Sequence, residues 1–137
     1  MTERPQPLVS VVIPTKNRAA SLANALRAIQ AQDYQHYEVI VVDNGSTDNT
    51  PEIIAKYAAQ RVFNKKFGVS LSRQLGIDAA QGEIIAMCDD DSMPEPDWIS
   101  CLVQRFLVDE SMGLVGGKLI QVGFPEDKGM GKVGPNG

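Results

Sequence analysis

Glu83-Ile84-Ile85-Ala86-Met87-Cys88-Asp89-Asp90-Asp91 is the stretch from which the fold can be read. Five apolar residues run without interruption into three carboxylates. A run so short and so apolar reads as a strand buried on both faces rather than as a helix. The aspartates then lie just past its carboxyl end. Two earlier stretches share this design. Leu8-Val9-Ser10-Val11-Val12-Ile13 is stopped by Pro14 and followed by the polar Thr15-Lys16-Asn17. Glu38-Val39-Ile40-Val41-Val42 gives way to Asp43-Asn44.

Helical spacing fills the gaps between these runs. Leu22, Leu26 and Ile29 recur through residues 19–31 at the period of an amphipathic helix. Thr50 reads as the cap of a second helix, with Pro51 at its first position, running to about Gln60. Arg61-Val62-Phe63 reads as a short strand and residues 64–68 as a polar loop. Residues 69–80 read as a helix weakened by Gly76, and Pro96-Asp97 opens another helix reaching about Val108. Leu114-Val115 and residues 118–122 suggest further strand. The expected organisation is a tail at 1–7, one α/β domain at 8–122 and a Gly/Pro-rich tail at 123–137. Alternating apolar strands and helices predict a Rossmann-like, mostly parallel sheet flanked by helices on both faces. Such sheets bind ligands beyond the carboxyl ends of their strands. The clusters at residues 15–17, 43–44 and 89–91 are therefore expected to converge.

Composition narrows the possible functions. The chain has 137 residues, a net charge of −4 and a pI near 4.9. An acidic chain is a poor partner for nucleic acid, whose binding runs on Lys and Arg. No apolar run approaches the ~20 residues of a membrane helix, and the first dozen residues carry no signal-peptide pattern. Cys88 and Cys101 read as reduced core residues of a cytoplasmic protein. His36, the sole histidine, reads as a surface residue, so no nucleophile–histidine system can be built around it. Glycine-rich phosphate loops are absent from the sequence.

Three adjacent carboxylates repel one another; a pair at about 4 Å costs roughly 4 kcal/mol at an effective dielectric of 20. Exposure to water relieves this, and so does a divalent cation, for which hard oxygen ligands suit Mg²⁺ or Mn²⁺. Asp43 could accept a hydrogen bond from a ribose or a base, or serve as a turn residue. Ser46 to Asp48 read as turn and cap residues. Arg73, with Lys65 and Lys66 nearby in sequence, could pair with a phosphate or with Asp43.

Four ordered motifs resemble the family-two inverting glycosyltransferases of the GT-A type. They are residues 9–18 (VSVVIPTKNR), residues 41–48 (VVDNGSTD), residues 64–76 (NKKFGVSLSRQLG), and Asp89-Asp90-Asp91 with Pro94 and Trp98. The resemblance implies metal-dependent transfer of a sugar from a nucleotide diphosphate donor, commonly a UDP-sugar. It implies nucleotide contacts from Pro14, Thr15, Asn17, Asp43, Arg73, Asp89 and Asp90, and metal ligation by Asp91 and Asp89. The acceptor (sugar, lipid or protein) is left open. Asn44 stands where the family usually has a second Asp, Ser72 and Gln74 flank Arg73 in place of Ala and Asn, and the NKKFG spacing is one residue longer. The family's general base lies downstream, so the chain reads as a donor-binding part that stops short of it. The alternative is a non-catalytic nucleotide-binding or assembly module. A sheet left incomplete in this way is expected to self-associate or to have an ordered tail packed over it. Attachment at a membrane surface is compatible with the family.

Overall fold

The computed structural model describes residues 6–66 and 69–108. Among them the elements run β1 (Val9–Thr15), α1 (Ala19–Gln30), β2 (Tyr37–Asp43), α2 (Thr50–Lys56), β3 (Gln60–Phe63), α3 (Val69–Ala79), β4 (Ile84–Met87) and α4 (Trp98–Val108). The four strands form one sheet in the order β3-β2-β1-β4, and every pairing is parallel. This is the Rossmann-like arrangement that the alternating pattern predicts.

Two apolar layers enclose the sheet. On one face Val9, Val11, Ile13 and Val41 meet Leu22, Leu26 and Ile29 of α1, Ile54 of α2, and Ile99, Leu102 and Val103 of α4. On the other face Val12, Ile40 and Val42 meet Leu75 and Ala79 of α3. The central strand β1 therefore needs apolar residues on both sides, which explains its unbroken β-branched run. Gly76 lets α3 lie directly on β1, because a Cβ there would fall 2.3 Å from Val12 Cγ1. The residue that weakens the helix in isolation is the one that allows it to dock.

Several boundaries differ from the sequence expectation. β1 does not stop at Pro14 but continues to Thr15. Val9 N–H donates to His36 O and Asn44 N–H to Thr15 O, so odd residues of β1 bond toward β2. Val12 O accepts from Cys88 N–H on the other side. The donor that Pro14 lacks thus falls on the β4 side, past that last rung. α2 ends at Lys56 rather than near Gln60. Ala58 adopts φ 56, a left-handed geometry that stops the helix and frees Gln60 to begin β3. Thr50 is not the cap; it is inside α2, and its N–H and hydroxyl both donate to Asp48 Oδ1, at 3.0 and 2.5 Å.

β4 departs furthest from the expectation. Its residues alternate, with Ile84 and Ala86 buried and Ile85 and Met87 37% and 38% exposed. It borders β1 on one side only among the described residues. Cys88 is buried as expected, but Cys101 is exposed on α4 rather than in the core, and both thiols are free. No helix among the described residues is long and apolar enough to cross a membrane. The strands expected at 114–115 and 118–122, the tail at 123–137 and residues 1–5 and 67–68 lie outside the described residues.

Gly76→Ala tests the docking of α3. In an open helix this change stabilises by roughly 0.5–1 kcal/mol. Here the clash with Val12 is expected to reverse the sign and destabilise by about 1–3 kcal/mol, read as a lower urea midpoint with an unchanged slope.

Candidate functional site

The parallel register places the site. Thr15 pairs with Asp43 across β1 and β2. Val12 pairs with Met87 across β1 and β4, so three residues further on Thr15 lies opposite Asp90. The Thr15 hydroxyl donates to Asp90 Oδ2 at 2.8 Å, a buried bond across that gap. The carboxyl ends of three strands are thus joined at one edge, with Thr15 in the middle.

The alternation of β4 continues into the aspartates. Ile84, Ala86, Cys88 and Asp90 are buried, while Ile85, Met87, Asp89 and Asp91 are exposed. Only the middle carboxylate turns inward. Its charge is met by Arg18, just ahead of α1, whose Nη1 lies 3.3 Å from Asp90 Oδ1 and 3.6 Å from Asp91 Oδ2. Burial pushes the Asp90 carboxyl above its usual range, against the opposing pull of the Thr15 hydroxyl and the Arg18 charge. Cys88, one rung earlier, is pushed up to about 12, first by burial and then by the three aspartates. It is an inert apolar thiol at this edge.

Asp43 is fully buried. Oδ1 accepts from Ser46 N–H at 2.8 Å, and Oδ2 accepts from Arg61 Nε and Nη2 at 3.0 and 2.9 Å. Burial is the largest single influence and raises its pKa. The hydrogen bonds from Ser46 and the bonds and charge of Arg61 together outweigh it and hold the carboxyl below its usual range. The arginine partner open to Arg73 in the sequence is therefore supplied by Arg61. Arg73 is exposed on α3 and makes no ion pair among the described residues. Pro14 is half-buried in β1, between the sheet interior and Thr15.

Asn17, expected as a nucleotide contact, bonds within the loops past β1 and β2. It adopts φ 51. Its Oδ1 accepts from Thr47 N–H at 2.7 Å and from Asp48 N–H at 3.3 Å, and its own N–H donates to Ser46 Oγ at 2.9 Å. The two loops past β1 and β2 are thereby stitched together. Behind them Asn44, Asn64 and Ser72 form a buried polar knot. Asn64 Nδ2 donates to Asn44 Oδ1 at 2.7 Å, and the Ser72 hydroxyl donates to the same oxygen. Asn44 keeps this knot neutral where a second aspartate would bury another charge. On the far side, buried Gln32 donates to Glu95 O at 2.6 Å and accepts from Ile99 N–H at 2.9 Å. It fixes the segment following the aspartates.

The profile of Glycosyl transferase family 2 matches residues 10–126. The chain belongs to this family. It is 36% identical over 115 residues to the chondroitin synthase of Escherichia coli, covering 79% of this chain and 17% of that protein. Among solved structures it resembles the mannosyltransferase PcManGT of Pyrobaculum calidifontis, in complex with GDP-Man and Mn²⁺ (28% identity, TM-score 0.73, 85% of this chain and 36% of that one). It also resembles the glucosyl-3-phosphoglycerate synthase of Mycobacterium tuberculosis, in complex with Mn²⁺, UDP and glucosyl-3-phosphoglycerate (26% identity, TM-score 0.71, 85% and 45%). The chain spans less than half the length of each.

A divalent cation suits the donor chemistry of this family-2 edge. Asp89 and Asp91 offer exposed hard oxygens beside the inward Asp90. Among the described residues no three His, Cys, Asp or Glu side chains converge on one point.

Sequence reading missed Arg18 and Arg61 as partners of the buried carboxylates. A signal existed for Arg18, a cation just past the strand end that must face the triplet. For Arg61 the signal was its place on β3, paired with Val41, two residues before Asp43.

Arg61→Ala leaves Asp43 buried without its cation and is expected to cost about 2 kcal/mol at pH 7, discounted for the partial exposure of Arg61. Because the folded pKa of Asp43 lies below the unfolded value, this stabilisation is present above the unfolded pKa of about 4 and lost as pH falls through the folded value. Urea unfolding of both proteins from neutral pH downward should show the gap between them closing below about pH 4.

Proposed function

We propose that this edge binds the nucleotide diphosphate of a sugar donor, as the donor half of an inverting glycosyl transfer. The observation that carries the reading is the buried Thr15–Asp90 bond at 2.8 Å, which brings the aspartate triplet to the same edge as Thr15 and Asp43. Pro14 and Thr15 line the nucleoside side. Asn17 and Asp43 hold the loops against which the base lies. Arg73, exposed at the amino-terminal half of α3, reaches toward the diphosphate or base. Asp89 and Asp90 serve the ribose and phosphate side.

Asp91, with Asp89, would hold Mg²⁺ or Mn²⁺. Bound there, the ion supplies Lewis-acid stabilisation of the leaving diphosphate. The protein's own part is to orient carboxylates before the donor arrives. Thr15 fixes one Asp90 oxygen and Arg18 contacts the other, so little reorganisation remains. This reading assigns no general base to the described residues. Uridine is the base to test first; the acceptor is a sugar, a lipid or a protein. The reading keeps the chain in the cytoplasm, where both free thiols stay reduced, with contact at a membrane surface compatible.

Calorimetric titration of UDP with and without Mn²⁺ tests the proposal. Metal-dependent binding is expected, weakened about tenfold or more by Asp91→Ala and little by Glu95→Ala. No metal-dependent heat at millimolar UDP, or equal effects of the two substitutions, would overturn it.

Among the described residues β4 pairs with β1 alone, and Ile85 and Met87 are exposed. Self-association of this chain through that edge is expected, and sedimentation velocity should show a concentration-dependent shift that Met87→Lys reduces.

A further inference from the structure

The aspartate triplet already has a cation, and that cation belongs to the protein. Arg18 Nη1 lies 3.3 Å from Asp90 Oδ1 and 3.6 Å from Asp91 Oδ2. The two contacts differ in kind. Asp90 is held from behind by Thr15 and has a side chain only 9% exposed, whereas the Asp91 side chain is 60% exposed and the Arg18 side chain 57%. One end of the bridge is anchored; the other end and the arginine itself can move into water. Both ions cannot occupy the face of Asp91 together, since a guanidinium and a divalent cation at that range repel.

We infer that Arg18 is a positioning residue, the internal counter-ion that a divalent cation displaces from Asp91. The inference rests on the donor reading of this edge and adds a competitor to it. Without metal, Arg18 keeps two neighbouring carboxylates from splaying apart. When the ion arrives, the guanidinium leaves Asp91, and its single positive charge there gives way to the two of the ion. Weak affinity for metal alone follows, because the site gives up one favourable ion pair to gain another.

The probe is Mn²⁺ without nucleotide, its free-ion signal followed by electron paramagnetic resonance. Wild type, Arg18→Gln, Arg18→Lys and Arg27→Gln are compared. Arg27 is an exposed arginine of α1 bonded to Asn24 and Tyr57, so Arg27→Gln subtracts the effect of net charge. Arg18→Gln is expected to bind Mn²⁺ about tenfold more tightly than Arg27→Gln, with Arg18→Lys near wild type, and adding Asp91→Ala should erase the gain. A merely structural arginine would lower the unfolding midpoint without tightening Mn²⁺. Equal Mn²⁺ affinity in the Arg18→Gln and Arg27→Gln proteins, or weaker binding in the former, overturns the inference. Loss of UDP binding by wild type would sink the donor reading instead, since nucleotide takes no part in the Mn²⁺ comparison.

Discussion

The Thr15 hydroxyl meets the Asp90 carboxylate at 2.8 Å between segments 75 residues apart in the chain, and the organisation of the carboxyl edge depends on that bond. It exists because β1 runs three residues past its last rung with β4. A strand ending at Pro14 would leave no hydroxyl in register with the inward aspartate. Asp90 would then be a buried carboxylate with only an exposed arginine to meet it, a costly arrangement. Thr15 also bonds through its backbone, accepting from Asn44 N–H at 2.9 Å. One residue therefore ties β4 to β2.

The edge holds two buried carboxylates and treats them oppositely. Asp43 receives three hydrogen bonds, two of them from a guanidinium, and its pKa falls. Asp90 receives one hydroxyl and a longer arginine contact, and its pKa rises. The first is a closed structural pair between neighbouring strands. The second is a looser arrangement, buried beside the exposed Asp89 and Asp91 and met by one hydroxyl and a partly exposed arginine. Tight satisfaction on the β2 side fixes the frame, and satisfaction is looser on the β4 side.

Much of this was legible in the chain. The β-branched runs at residues 9–13 and 38–42 are the sheet's centre, and their polar sequels do meet at one edge, since parallel pairing leaves no other place for them. The amphipathic period of α1 is equally plain. What escaped reading had long-range causes. Gly76 looks like a flaw in a helix until Val12 is seen beneath it. Ala58 gives no local sign of a left-handed turn. Apolar Ile85 and Met87 suggested a strand covered on both faces, whereas β4 borders β1 alone among the described residues and its outer positions are exposed. Cys101 looked like core because its neighbours are apolar, but one position on a helix turns away from the layer that its neighbours face. Arg18 and Arg61 each meet their aspartates only after tertiary folding, at separations of 72 and 18 residues.

The phase of β4 sets how charge is distributed at the edge. Because the period-two alternation of residues 84–87 persists through Cys88 to Asp91, a three-aspartate run yields one inward carboxylate and two outward ones. A shift of one residue would instead bury Asp89 and Asp91 and expose Asp90. It would also draw Cys88 out of the core and leave Thr15 facing no acceptor. Cys88 suits its position as the last apolar residue before the charges: small, neutral, and bonded through its N–H to Val12 O at 3.0 Å. The strand's own pleat thus separates the one carboxylate that is buried from the two that stay exposed.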